Sequence, residues 1–262
     1  MIFKALSELQ LNNQACALCT IIRTHGSTPR HVGSKMLVYD DGSIIGSIGG
    51  GELESRVITE AQVAIEKGNP TILEYQMTDP EQGDPGVCGG SLEIFVDPIK
   101  PKPNLVVVGA GHVGRSVAHL AHWLGFYVTV TDDRSELCTS KFIPDGDEFF
   151  PIPFSEFPDK INITPWTYFV LTTRSVDVDI QGLPAILKSP TKYIGIIGSR
   201  RRWSTTKQKL LETGMAEKDL ERIKSPIGLD LNAETPEEIA VSILAEIILF
   251  RKGGASKLSS GG

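Results

Sequence analysis

Asn104–Arg134, NLVVVGAGHVGRSVAHLAHWLGFYVTVTDDR, decides the fold. Its first five residues, Asn104–Val108, are a short apolar run between Pro103 and Gly109, the pattern of a buried parallel strand. Gly109-Ala110-Gly111-His112-Val113-Gly114 follows. Val113, Val117, Leu120, Ala121 and Leu124 then share one stripe at helical spacing, which Gly125 stops. A second apolar run, Phe126–Val130, ends in Thr131-Asp132-Asp133. Strand, glycine loop, helix, strand and acid in that order predict a βαβ unit with a dinucleotide fingerprint. Gly109 permits the tight turn, Gly111 leaves room for a pyrophosphate and Gly114 lets helix and strand pack closely. The unpaired amides at the helix start, with His112 among them, favour an anion. Asp132 stands 23 residues beyond Gly109, where a ribose-binding acid is expected. A carboxylate there favours a free 2′-hydroxyl over a 2′-phosphate, a preference that a nearby Arg134 can reverse.

Working outward, Asp97–Pro103 (DPIKPKP) carries three prolines and predicts an extended linker. It divides the chain into a first domain, 1–97, and a nucleotide-binding domain, 104–252. Residues 253–262, GGASKLSSGG, are expected to form a mobile tail. In the first domain, Ile2–Leu11 and Leu53–Ile65 have helical periodicity. Ala15–Thr24, Lys35–Tyr39, Ile44–Ser47, Thr71–Gln76 and Ser91–Val96 predict strands. Beyond the fingerprint, Tyr168–Thr173 and Tyr193–Ser199 suit parallel strands. Helices are expected near Ile180–Lys188, Arg201–Glu212 and Pro236–Arg251. The last has Thr235 as N-cap, Pro236 at its first position and Glu238 completing a capping box. Its body is apolar almost all round, which predicts burial between elements or at a subunit contact. The fold class is therefore α/β: a mixed α/β domain followed by a Rossmann-like parallel-sheet domain.

The chain has 262 residues and a net charge of -6, which speaks against general nucleic-acid binding. It shows no membrane-length apolar run and opens without a signal peptide, so a cytoplasmic protein with reduced thiols is expected. Cys16 and Cys19 have CxxC spacing, but residues three apart on a strand point to opposite faces, and neither chelate nor disulfide suits them. Cys138 has no companion. Cys88 sits in Pro85-Gly86-Val87-Cys88-Gly89-Gly90, where its sulfur is either a reachable soft ligand or an inert filler.

Gly46–Leu53 (GSIGGGEL) is a second glycine loop before a helix. It is either an anion nest or a crowded turn. Arg23, Arg30 and Lys35 make the segment before it locally basic, as an anion site or as a solvated loop. His119 and His122 have chelating spacing without a third ligand, so a surface or packing role is favoured. No Walker lysine, HExxH or GxSxG occurs, and no acid–base pair can be nominated.

These segments together resemble the XdhC/CoxI family of xanthine dehydrogenase accessory factors. The likeness runs through GSTPRHVGSKMLVYDDGSIIGSIGGGELESRV, GVCGGSLEIFVDP, the fingerprint itself, YIGIIGSRRR and SPIGLDLNAETPEEIAVSILAEII, nearly the whole chain. Asn232 in LDLNAET departs from the family's expected glycine, and asparagine tolerates the same positive φ. The resemblance implies a maturation chaperone. Such a protein binds molybdenum cofactor (molybdopterin), assists its sulfuration with a cysteine desulfurase and delivers it to a xanthine dehydrogenase-type hydroxylase, commonly as a homodimer. Carried over by position, Gly49, Gly50, Gly51, Glu52 and Cys88 form the first-domain site, with Cys88 as the candidate metal contact. Gly109, Gly111, His112, Gly114, Asp132 and Arg134 form the second, joined by Ser199 and Arg200. Two other readings stay open: a NAD-dependent oxidoreductase and a nucleotide-sensing regulatory module.

Overall fold

The computed structural model describes residues 1–11, 14–76 and 89–252. The chain divides into two compact units between Pro101 and Lys102.

In the first unit the order is α1 (Ile2–Leu11), β1 (Cys16–His25), β2 (Lys35–Tyr39), β3 (Ile44–Gly46), α2 (Gly51–Lys67), β4 (Thr71–Gln76) and β5 (Ser91–Ile99). Among the described residues the strands form an antiparallel sheet in the order β3-β2-β1-β5-β4. Strand alternation sends Ala17, Cys19 and Ile21 to the face covered by α2, where they pack with Val57, Ala61 and Ile65. Cys16 and Leu37 face the other way, towards Ala5 and Leu9 of α1. The two cysteines of the CxxC spacing thus lie in separate cores. Helix α2 ends where Gly68 enters the left-handed region at φ 69.

One expectation is corrected. Strand β5 does not stop at Val96; it continues through Pro98 to Ile99, into the stretch read as linker. Strand β1 pairs with it as far as Cys16↔Ile99, whereas β4 reaches no further than Thr71↔Val96. Past Val96, β5 is an edge, and an edge accommodates proline with its missing donor on the open side.

The second unit contains β6 (Asn104–Val108), α3 (His112–Trp123), β7 (Tyr127–Thr131), β8 (Glu148–Phe150), β9 (Thr167–Leu171), α4 (Val176–Leu187), β10 (Tyr193–Ile196), α5 (Arg200–Glu212), α6 (Glu217–Leu220), β11 (Ile223–Lys224) and α7 (Pro236–Arg251). The strands run parallel in the order β11-β10-β9-β6-β7-β8. This is the doubly wound order 3-2-1-4-5-6 of a Rossmann sheet. Leu105 and Val107 of β6 face α3 and α7, packing against Val117, Ala121, Ile243 and Ile247. Val106 and Val108 face the opposite layer, with Leu183 and Ile186 of α4 and Leu210 of α5. Helix α7 carries the full Thr235/Glu238 capping box. One side of it is buried through Ala240, Ile243, Leu244 and Ile247, while Val241 and Ile248 are exposed. Asn232 adopts φ 52, the left-handed conformation that glycine would take. Helix α4 starts four residues earlier than its periodicity suggests, because the Ser175 side chain caps Val178.

Candidate functional site

Strands β6 and β9 are where the chain's winding reverses, and the crevice outside their carboxyl ends is where such sheets bind ligands. The glycine loop after β6 lies there. Gly109 has φ 106, and a Cβ on it would stand 2.8 Å from the Thr172 carbonyl oxygen. A Cβ on Gly114 would stand 2.0 Å from the Gly109 carbonyl oxygen, so α3 can approach the loop only with glycine there. Gly111 caps α3 and faces open space, with nothing within 4 Å of its would-be Cβ. The Thr172 hydroxyl donates to the Gly109 carbonyl at 2.7 Å and fastens the loop to the neighbouring strand end.

Asp132 follows β7. Its Oδ2 accepts from the Ala110 amide at 2.7 Å and from Arg134 Nη2 at 2.7 Å. Its Oδ1 accepts from the Arg134 amide and Nε, each at 2.9 Å. The side chain is 2% exposed. Arg174, after β9, reaches across the end of β6 and makes two bonds to Asp133, at 2.6 and 2.7 Å. That guanidinium, opposed by slight burial, draws the Asp133 carboxyl down to about 2. A small cleft of about 50 Å³ is lined by Gly109, Asp132, Asp133, Arg134, Phe154, Arg174 and Gln181.

Beneath this edge lies an ion pair that sequence patterns do not announce. Asp179 of α4 is fully buried. It accepts from Arg202 Nη2 at 2.7 Å and from the Thr173 hydroxyl. Arg202 also donates to the Thr173 carbonyl at 3.0 Å. Burial raises the Asp179 carboxyl above its ordinary value, against the pull of Thr173 and Arg202. Ser199 caps α5 by accepting from the Arg202 amide at 3.2 Å, and Arg200 is exposed at the helix start. Neither lines the cleft. His112 lines a separate concavity between α3 and α7, with Arg115, His119 and Glu237. His119 pairs with Asp145 at 2.9 Å. Among the described residues, no three His, Cys, Asp or Glu side chains gather as a metal site.

In the first unit, the glycine loop before α2 already holds an anion of its own. Glu54 Oε1 accepts from the amides of Gly50 (2.9 Å), Ile48 (3.1 Å) and Gly49 (3.3 Å), and from the Ser47 hydroxyl at 2.7 Å. Glu52 pairs with Arg56 one turn along. Partial burial works to raise the Glu54 carboxyl, but these hydrogen bonds outweigh it and hold it below its ordinary value. The stability it contributes is therefore present above the unfolded pKa and is lost as pH falls through the lower folded one. Glu54→Ala strands the three loop amides and is expected to cost about 2 kcal/mol in urea unfolding, part of it recovered by millimolar phosphate. An unchanged midpoint would remove Glu54 from this role.

Cys16, Cys19 and Cys138 are buried. Burial pushes the first two thiols to about 11 and about 12, and the third upward as well. Cys88 lies outside the described residues. Among the described residues, no helix is long and apolar enough to cross a membrane.

Two family patterns match the chain: the XdhC Rossmann domain over residues 105–247, and the XdhC and CoxI family over residues 9–76. The uncharacterized protein YqeB of Escherichia coli (strain K12) is 35% identical over 259 residues, 98% of this chain and 47% of that protein. A probable xanthine dehydrogenase subunit of Bacillus subtilis (strain 168) is 35% identical over 162 residues, 62% of this chain and 47% of that protein. The chain thus spans about half the length of these two relatives. The molybdenum cofactor insertion chaperone PaoD of Escherichia coli (strain K12) is 21% identical over 273 residues, 93% of this chain and 86% of that protein.

Proposed function

Since this chain belongs to the XdhC and CoxI family, we propose that it is an accessory factor that binds molybdenum cofactor and helps insert it into a xanthine dehydrogenase-type hydroxylase. The observation that carries this reading is the chemistry of the β6–β9 crevice. Two half-exposed guanidinium groups line it beside Gly109, and the same glycine loop continues to an open Gly111 at the start of α3, which suits an anionic ligand held and released intact. The carboxylates beside them are tied into ion pairs. PaoD, by its name, performs such an insertion. Sulfuration with a cysteine desulfurase, homodimer formation and a cytoplasmic setting complete the proposal. A separate cofactor contact, within the first unit alone, is proposed for Gly49–Glu52 and Cys88.

The test is transfer. Purified chain charged with molybdenum cofactor is mixed with an apo-hydroxylase, and recovered hydroxylase activity is measured. Saturable NAD(H) turnover on aldehydes or hydroxy acids without any client would overturn the proposal and support an oxidoreductase, the alternative that the Rossmann strand order favours. In the same assay, Cys88→Ala is expected to reduce sulfurated, active client about tenfold or more, whereas Cys16→Ala and Cys138→Ala act weakly because those thiols are buried. Full activation by Cys88→Ala would strip that residue of its role.

A further inference from the structure

We propose that the cleft at the ends of β6, β7 and β9 takes a phosphate monoester of its ligand between Arg134 and Arg174, with Asp132 as a positioning residue and Asp133 as the group the phosphate displaces. This rests on the reading of that cleft as the chain's binding site, and it names the chemical group read there.

The argument begins with Asp132. A carboxylate offers about four acceptor positions. The Ala110 amide and three Arg134 donors fill four, and the side chain is 2% exposed. Little capacity is left for a ribose diol. What Asp132 does instead is fix two things. It pins the glycine loop through Ala110, and it holds the Arg134 guanidinium flat at the cleft wall.

The second guanidinium comes from the other side of the glycine strand. Arg174 Nη1 stands 3.9 Å from the same Asp132 carboxylate. Two arginines from β7 and β9 therefore converge on one point across β6. Both line the cleft, and their side chains are 35% and 49% exposed. Like charges brought this close call for anionic neighbours, and a planar guanidinium matches phosphate with paired hydrogen bonds. At present the outer arginine is matched by Asp133, which is 40% exposed. An exposed ion pair contributes little and exchanges readily. A phosphate monoester carries between one and two negative charges near neutral pH, against one for the aspartate it replaces.

A 2′-phosphorylated nucleotide and a phosphorylated pterin share this group, so the test uses both. The whole chain is titrated calorimetrically with 2′,5′-ADP, with adenosine and with molybdenum cofactor released from a molybdoenzyme. If a nucleotide is the source, 2′,5′-ADP binds at least about tenfold more tightly than adenosine, one charged hydrogen-bond pair's worth of preference. Arg174→Ala and Arg134→Ala then erase that preference, and Asp133→Asn, which removes the competitor, tightens binding several-fold. If the pterin is the source, 2′,5′-ADP is silent and cofactor affinity shows the same dependence on the three variants. Binding of 2′,5′-ADP with this dependence but no binding of cofactor keeps the phosphate site and defeats the maturation reading. Three results overturn the proposal: no probe binds, affinities are indifferent to Arg134 and Arg174, or Asp133→Asn weakens binding, which would make Asp133 a hydroxyl acceptor.

Discussion

A methyl group added at position 114 is expected to lower the stability of the second unit by about 3 kcal/mol, a fall of about 10 °C in its thermal midpoint. The Cβ of Gly114→Ala would lie 2.0 Å from the Gly109 carbonyl oxygen and 2.9 Å from the Thr172 hydroxyl. Neither neighbour is the free end of a flexible chain: Gly109 is backbone, and Thr172 donates to that same carbonyl. Helix α3 must therefore lift away from β6, loosening the layer in which Val117 and Ala121 pack. Gly111→Val is the control. It has an ordinary φ of −76 and open space at its would-be Cβ. Its midpoint should stay near wild type, while binding of the cleft's ligand falls at least tenfold, because a branched side chain occupies the approach to the amides. Equal midpoints for Gly114→Ala and wild type, or unchanged ligand affinity in a folded Gly111→Val, would each refute the corresponding half.

Arg202→Met is expected to cost roughly 3–5 kcal/mol, the usual penalty for leaving a buried charge without its partner. Asp179 is fully buried, and without Arg202 it keeps only the Thr173 hydroxyl among its present partners. The loss should depend on pH. Burial already raises the Asp179 carboxyl, and Arg202 is one of the influences holding it down. Removing Arg202 lifts it further. A carboxyl with a folded pKa above its unfolded one binds protons more tightly when folded, so stability falls as pH rises through that window. The variant should lie closest to wild type near pH 5 and furthest near pH 8. Asp179→Asn in the same background should recover much of the loss at the higher pH. Urea unfolding at the two pH values checks this, and equal losses at both would exclude a stranded carboxylate.

The parts of this fold that were legible are those set by neighbours in sequence. The fingerprint could be read because Gly109 and Gly114 answer to atoms within a few residues or on the adjoining strand end. Helix α7 could be bounded because Thr235 and Glu238 cap each other directly. What escaped depends on distant pieces. Arg174 and Asp133 are 41 residues apart and meet because β7 and β9 flank β6. Asp179 and Arg202 are joined by the packing of α4 against α5. Pro98 reads as linker in sequence because its tolerance within β5 is set by how far β4 extends, which β5 itself does not encode. Glu54 carried a local hint, an acid in the first turn after a glycine run, but its reach back to three amides is a matter of loop shape.

The separation of Cys16 and Cys19 onto opposite faces of one strand has a consequence for sulfur chemistry. Nucleophilic sulfur is thiolate, and a thiol pushed to about 11 is ionised at pH 7 to the extent of roughly one part in ten thousand. Its partner in spacing, at about 12, is tenfold quieter still. Cys138 is buried as well, its sulfur directed at the Val130 carbonyl. Burial thus leaves Cys16, Cys19 and Cys138 poor nucleophiles near neutral pH. Among the described residues, then, no cysteine offers a ready thiolate to a sulfur donor, and neither core can trap sulfane sulfur on its own thiols.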